Sequence, residues 1–221
     1  MSKYHDIASL AQEVSAQIVK NVAEWTSYLT TAARLYKYPF KEQMLIYAQR
    51  PDATACASIE TWNERMNCWV NKGAKGIALI DEDSDRSKLK YVFDVSDVHK
   101  AVRIGRDPNL WVLQEEQKQA VITQLEKTYG TTNKDHPFEI RLMELANSIA
   151  EDFYSELIAD LEYVKEGSFL DGLDAQNTEI RVRETLSSSI AFVLLSRCDF
   201  DMEELKNELN FDYIHDFSSM E

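Results

Sequence analysis

Cysteine is scarce in this chain, with three among 221 residues. Cys56, Cys68 and Cys198 are odd in number, widely spaced and form no C-x-x-C pair. That argues against a disulfide framework and a cysteine-based zinc site, and buried free thiols are the expectation. Long apolar runs are missing as well. None approaches the roughly 18 residues needed to cross a bilayer. The opening "MSKYHDIASLAQEV" has no apolar stretch of the kind that directs secretion, so the expected location is the cytosol, with no membrane partner.

Catalytic signatures are absent too. There is no H-E-x-x-H and no G-x-S-x-G. His5, His99, His136 and His215 stand singly, and "NKGAKG" at 71–76 is not G-x-x-x-x-G-K-[ST]. That segment sits between expected strands rather than opening a helix, so it lacks the dipole on which a phosphate loop depends. Asp81 with Asp83, or Asp94 with Asp97, could hold magnesium on paper. Among 38 acidic residues such pairs arise by chance. The expectation is a protein without catalytic residues, bound metal or cofactor.

What the chain does have is an ordinary globular composition, 44% apolar and 28% charged, with a formal charge of −14. The charge is unevenly spread. Residues 141–221 carry 6 basic and 19 acidic side chains, whereas residues 34–80 carry 7 basic and 4 acidic. The only basic region therefore lies in the first half.

The apolar spacing predicts one long amphipathic helix over 6–36, with Asp6 as its N-cap and Pro39 ending it. "KEQMLIYAQ" reads as a short helix stopped before Pro51, and "SIETWNERM" as another, with Ser58 as N-cap. The period then changes. Strands are predicted at about 67–71, 75–81 and 89–95, antiparallel, with "KGAKG" as the turn between the first two. From Asn109 the pattern is helical again. One helix ends at Gly130, and a long one carries the stripe Phe138, Leu142, Leu145, Ile149, Phe153, Leu157, Leu161 and Val164. Two more follow in "NTEIRVRETLSSSIAFVLLSRC" and "MEELKNELN". The fold class is thus α+β, mostly helical, with a small antiparallel sheet or hairpin in the N-terminal half. Residues 1–105 would form an α+β domain and 106–221 an acidic helical domain, joined at "IGRDPN", 104–109.

In the basic region, cations alternate with rings: Arg34, Lys37, Lys41, Arg50, Arg65, Lys72 and Lys75 among Tyr36, Tyr38, Tyr47, Trp62 and Trp69. Phosphates attract cations, and unpaired bases stack on flat aromatic faces. Gly73 and Gly76 would let a backbone approach closely. The mixture suits single-stranded nucleic acid better than a duplex, whose base faces are hidden. Trp62 and Trp69 would serve equally as core residues, and the lysines as solubilising groups at a hairpin tip.

The stretch "PFKEQMLIYAQRPDATACASIETWNERMNCWVNKGAKGIALID" also resembles the N-terminal domain of the ArdC antirestriction family. The resemblance rests on Gln43 and Leu45 in a helix, Pro51, Ala53 and Thr54 in a P-x-A-T turn, and Trp62 in the next helix. Val70, Lys72, Gly73, Lys75, Gly76, Ile77 and Leu79 complete it as a V-x-K-G-x-K-G-I-x-I hairpin. "YVFDVSDVH", "EGSFL" and "RETLSSSIAFVLLSRC" are similar to the N-terminal part of very large proteins on Firmicutes conjugative elements. In those proteins helicase-like and methyltransferase-like modules follow.

The resemblance implies single-stranded DNA binding and protection of incoming DNA from host defences. Taken with the cations and rings of the basic region, the candidate site residues are Lys37, Tyr38, Gln43, Arg50, Trp62, Arg65, Trp69, Lys72, Gly73, Lys75 and Gly76. Nothing here matches the zinc motif of the family's metallopeptidase-like second half, so no peptidase activity is implied. The acidic helical part lies outside the match. An alternative of a different class is an inhibitor that lays this acidic surface in the nucleic-acid groove of a host nuclease, a CRISPR effector or a restriction enzyme. A third is an assembly module of the conjugation machinery that does not touch DNA.

Overall fold

The stripe predicted as one helix over 6–36 is broken at 19–21. In the computed structural model, which describes residues 3–82, 88–100 and 111–219, it forms α1 (Lys3–Ile18) and α2 (Val22–Arg34). Asn21 is the cause. Its side-chain oxygen accepts from Glu24 N–H at 2.9 Å, and its carbonyl from Trp25 N–H at 3.1 Å. Asparagine followed three residues later by glutamate is a helix-start signal in its own right. Asp6 lies in the first turn of α1.

The chain folds into two compact units. One comprises Met1–Ile18 and Thr31–Trp111, the other Val19–Thr30 and Val112–Glu221. The expected joint at 104–109 lies outside the described residues, as does Asp83.

In the first unit, α3 (Phe40–Gln49) packs on α1 and on a small sheet. The sheet holds β1 (Cys56–Ala57), β3 (Ile77–Ile80) and β4 (Leu89–Asp94), all antiparallel with β4 in the centre. Leu35, Leu45, Ile46, Ala53, Ile77, Leu79 and Val92 form its core. A separate ribbon pairs β2 (Cys68–Val70) with β5 (Val98–Lys100). The three predicted strands therefore exist, but their pairing differs. β2 does not pair with β3, so "KGAKG" is no hairpin turn; it carries the chain from ribbon to sheet. The hairpin is β3–β4.

The reason lies in a short turn over Val95–Asp97. Asp94 accepts from Ser96 N–H at 3.0 Å and from Ser96 Oγ at 2.6 Å, which fixes the turn between β4 and β5, and β5 pairs with β2. "SIETWNERM" closes into a wide turn at Thr61–Arg65. Ser58 Oγ accepts from Thr61 N–H at 3.3 Å, as a cap would.

The second unit is helical: α4 (Lys118–Tyr129), α5 (Phe138–Val164), α6 (Ala175–Arg197) and the short α7 (Met202–Leu205). α4 ends where Gly130 takes φ +100°. Asp174 caps α6 by accepting from Asn177 N–H at 2.9 Å. Ile122, Leu142, Leu145, Ala146, Ala191 and Leu195 form one core, and Tyr154, Leu161, Leu170 and Val182 another.

The predicted stripe on α5 is buried only in part. Leu142, Leu145, Ile149 and Leu161 are interior, whereas Phe153, Leu157 and Val164 are exposed. α4 covers the first half of α5, and in the second half the interior face rotates to Tyr154 and Leu161. Among the described residues no helix is long and apolar enough to cross a membrane.

Candidate nucleic-acid interface

The β2–β5 ribbon brings together residues thirty positions apart. Trp69 pairs in register with His99, Cys68 with Lys100 and Val70 with Val98. Side chains alternate along a strand, and directly opposed residues share a face. Cys68 is fully buried, while Trp69 is 50% exposed and His99 is exposed. Asn71, two residues beyond Trp69, places its Oδ1 2.7 Å from His99 Nδ1.

A turn follows directly. Ala74 N–H donates to Asn71 O at 3.0 Å, and Gly73 takes φ +89° at the third position, as a type II turn requires. Lys72 therefore stands on the turn, and Lys75 just beyond it. Both are exposed, as is Arg65, four residues before Trp69. None of these three cations has an acidic partner among the described residues. His99, Asn71 and Lys100 were not anticipated. The signal was the alternation in "DVHK", which reads as a strand once the turn capped by Asp94 is seen.

Other anticipated residues are engaged inside the protein. Trp62 is 3% exposed, and its Nε1–H donates to Phe93 O at 2.9 Å; this indole belongs to the core and cannot stack on a base. Arg50 is held by Asp97, by Ser96 Oγ at 2.8 Å and by Asp52 at 3.7 Å, so it is no open phosphate ligand. Tyr38 packs against the core and donates its hydroxyl to Cys56 O at 2.7 Å. Gln43 donates to Leu35 O at 3.1 Å, tying α3 to the end of α2. Lys37 is exposed, with its Nζ 5.7 Å from the centre of the Tyr36 ring.

Gly76 also serves the interior rather than a ligand. A Cβ there would meet Phe93 Cζ at 3.1 Å and Tyr91 Cβ at 3.2 Å. Gly76→Val should accordingly cost about 1–3 kcal/mol by overpacking. Chemical denaturation checks this, and an unchanged midpoint would show that the sheet yields freely.

The Asp94 and Asp97 carboxylates are likewise occupied. Asp94 accepts from the N–H groups of Thr54 and Ala55 at 2.7 and 3.1 Å, besides Ser96, and Asp97 binds Arg50. Among the described residues no group of three histidine, cysteine or acidic side chains could hold a metal ion. All three cysteines are free. Burial first, and then the Asp94 charge, pushes the Cys56 thiol up to about 12, which keeps it protonated and unreactive.

Compared with family models, with curated proteins and with solved structures, the chain matches none.

Proposed function

We propose that this chain is a non-enzymatic, antirestriction-like DNA-binding module of a mobile element, and that it holds single-stranded DNA on the β2–β5 ribbon and the adjoining turn. One observation carries the reading: a half-exposed Trp69 is flanked in the chain by exposed Arg65, Lys72 and Lys75, none of them paired with an acid among the described residues. The indole offers a stacking face, and the cations offer charge for the backbone. The resemblance of residues 39–81 to the ArdC N-terminal domain supports it. The net charge of −14 does not oppose it, because the acids concentrate after residue 140.

Titration of a labelled oligonucleotide at two salt concentrations tests the reading. Micromolar binding is expected. For single strands the log–log salt slope is about −0.7 per phosphate contact, so Lys72→Ala/Lys75→Ala should flatten it by about 1.4. No binding, or a double variant indistinguishable from wild type, would overturn the reading.

A second reading rests on α5. Asp152, Glu156 and Asp160 are exposed without cationic partners among the described residues, beside exposed Phe153 and Leu157. Such a face suits the basic groove of a host nuclease. Pull-down separates the two readings, because an inhibitor captures the nuclease without DNA and a DNA binder does not.

A further inference from the structure

We infer that Trp69 and His99 form one platform for two successive unpaired bases, with Asn71 as the residue that positions the imidazole. This rests on the single-strand reading above and specifies its ligand as a step of two unstacked nucleotides. Register partners on adjacent strands have Cβ atoms about 4.5–5.5 Å apart. Two flat side chains so placed on a β-surface can each take one base of a running strand, as sheet-based readers of single-stranded RNA do.

The two flat side chains lie on one face of the ribbon. Cys68 is fully buried on the other, while Trp69 and His99 are both open to solvent. Among the described residues the indole and the imidazole make no ring contact with each other. Asn71 Oδ1 lies 2.7 Å from His99 Nδ1, where an amide oxygen accepts a hydrogen bond from Nδ1–H and restrains ring rotation. The same asparagine opens the turn that carries Lys72, so the platform and the phosphate ligand are fixed by one residue.

The test uses the full chain and a fluorescent oligothymidylate, with thermal melts to confirm that every variant is folded. Stacking on one base implies that His99→Ala weakens binding about fivefold or more, while His99→Phe stays within about twofold of wild type. Asn71→Ala should fall between them. The salt slope should stay unchanged in all three, unlike that of Lys72→Ala/Lys75→Ala, and a fully paired duplex should not compete. Quenching of tryptophan fluorescence on binding should survive His99→Ala and vanish in Trp69→Phe.

If His99→Ala binds like wild type while Trp69→Ala and the lysine variant are weakened, the platform holds one base and the inference fails with the broader reading intact. If His99→Phe is as weak as His99→Ala, the imidazole acts by charge or hydrogen bonding and the inference also fails. If wild type does not bind oligothymidylate, the broader reading falls first.

Discussion

Trp62→Ala should destabilise the unit formed by Met1–Ile18 and Thr31–Trp111 by about 3–5 kcal/mol. The indole is 3% exposed, and its Nε1–H is bonded to the Phe93 carbonyl in the central strand of the sheet. Truncation removes the largest side chain of the wide turn at Thr61–Arg65 and leaves that carbonyl without this donor. Trp69, seven residues on, should behave differently. It is half exposed on β2, so Trp69→Ala should change stability by less than about 1 kcal/mol. Its effect should fall on oligonucleotide affinity instead. Denaturant titration followed by circular dichroism, run beside the binding assay, separates the two. A Trp62→Ala protein as stable as wild type would mean that the indole fills no space that matters to the fold.

The two tryptophans show what the sequence could and could not reveal. Both sit among cations in a basic region, and composition treats them alike. What distinguishes them is alternation on a strand of three residues, in which Cys68 turns inward and Trp69 outward. So short a strand gives almost no periodic signal. The fold class was legible, because long helices with apolar stripes and a compact patch of Val, Ile and aromatic residues need only local pattern. Pairing was not. Whether β2 meets β3 or β5 depends on the turn at Val95–Asp97, whose effect is felt some thirty residues from β2.

The cations show the same limit. Arg50 and Arg65 look equivalent in sequence, yet Arg50 faces Asp97 and Arg65 faces solvent. An ion pair between residues 47 positions apart cannot be seen before the fold is known. The two glycines differ for a related reason. Gly73 takes a positive φ at the turn, whereas at Gly76 Phe93 and Tyr91 leave little room for a side chain. On α5 the stripe was read as one face, although the helix presents two in succession. Only the packing partners decide where Phe153 points.

Asp94→Ala should destabilise the same unit by about 3 kcal/mol or more, since it strips the acceptor from the N–H groups of Thr54, Ala55 and Ser96, each worth about 1–3 kcal/mol when buried. Asp94 is 2% exposed and joins the P-x-A-T segment to the turn before β5. Burial disfavours its charge, but the Ser96 hydroxyl and the three N–H groups outweigh that, and the carboxyl is held below its ordinary range. The pH dependence follows with a definite sign. A folded-state pKa below the unfolded value of about 3.9 gives stability that is complete above it and is lost as pH falls through the folded value. Glu126, held at about 2 by the hydroxyl and N–H of Thr132 and by Arg141, and Glu144, held low by Asn133 N–H, act in the same direction. Acid melts of wild type alone therefore cannot isolate Asp94. Asp94→Asn can. Its deficit against wild type should be largest at neutral pH and should narrow towards about pH 2. A gap that stays constant would show that the ionised carboxylate contributes nothing beyond its shape. Because this turn sets β5 against β2, and so His99 opposite Trp69, the asparagine variant should also bind oligothymidylate more weakly at neutral pH while still folded.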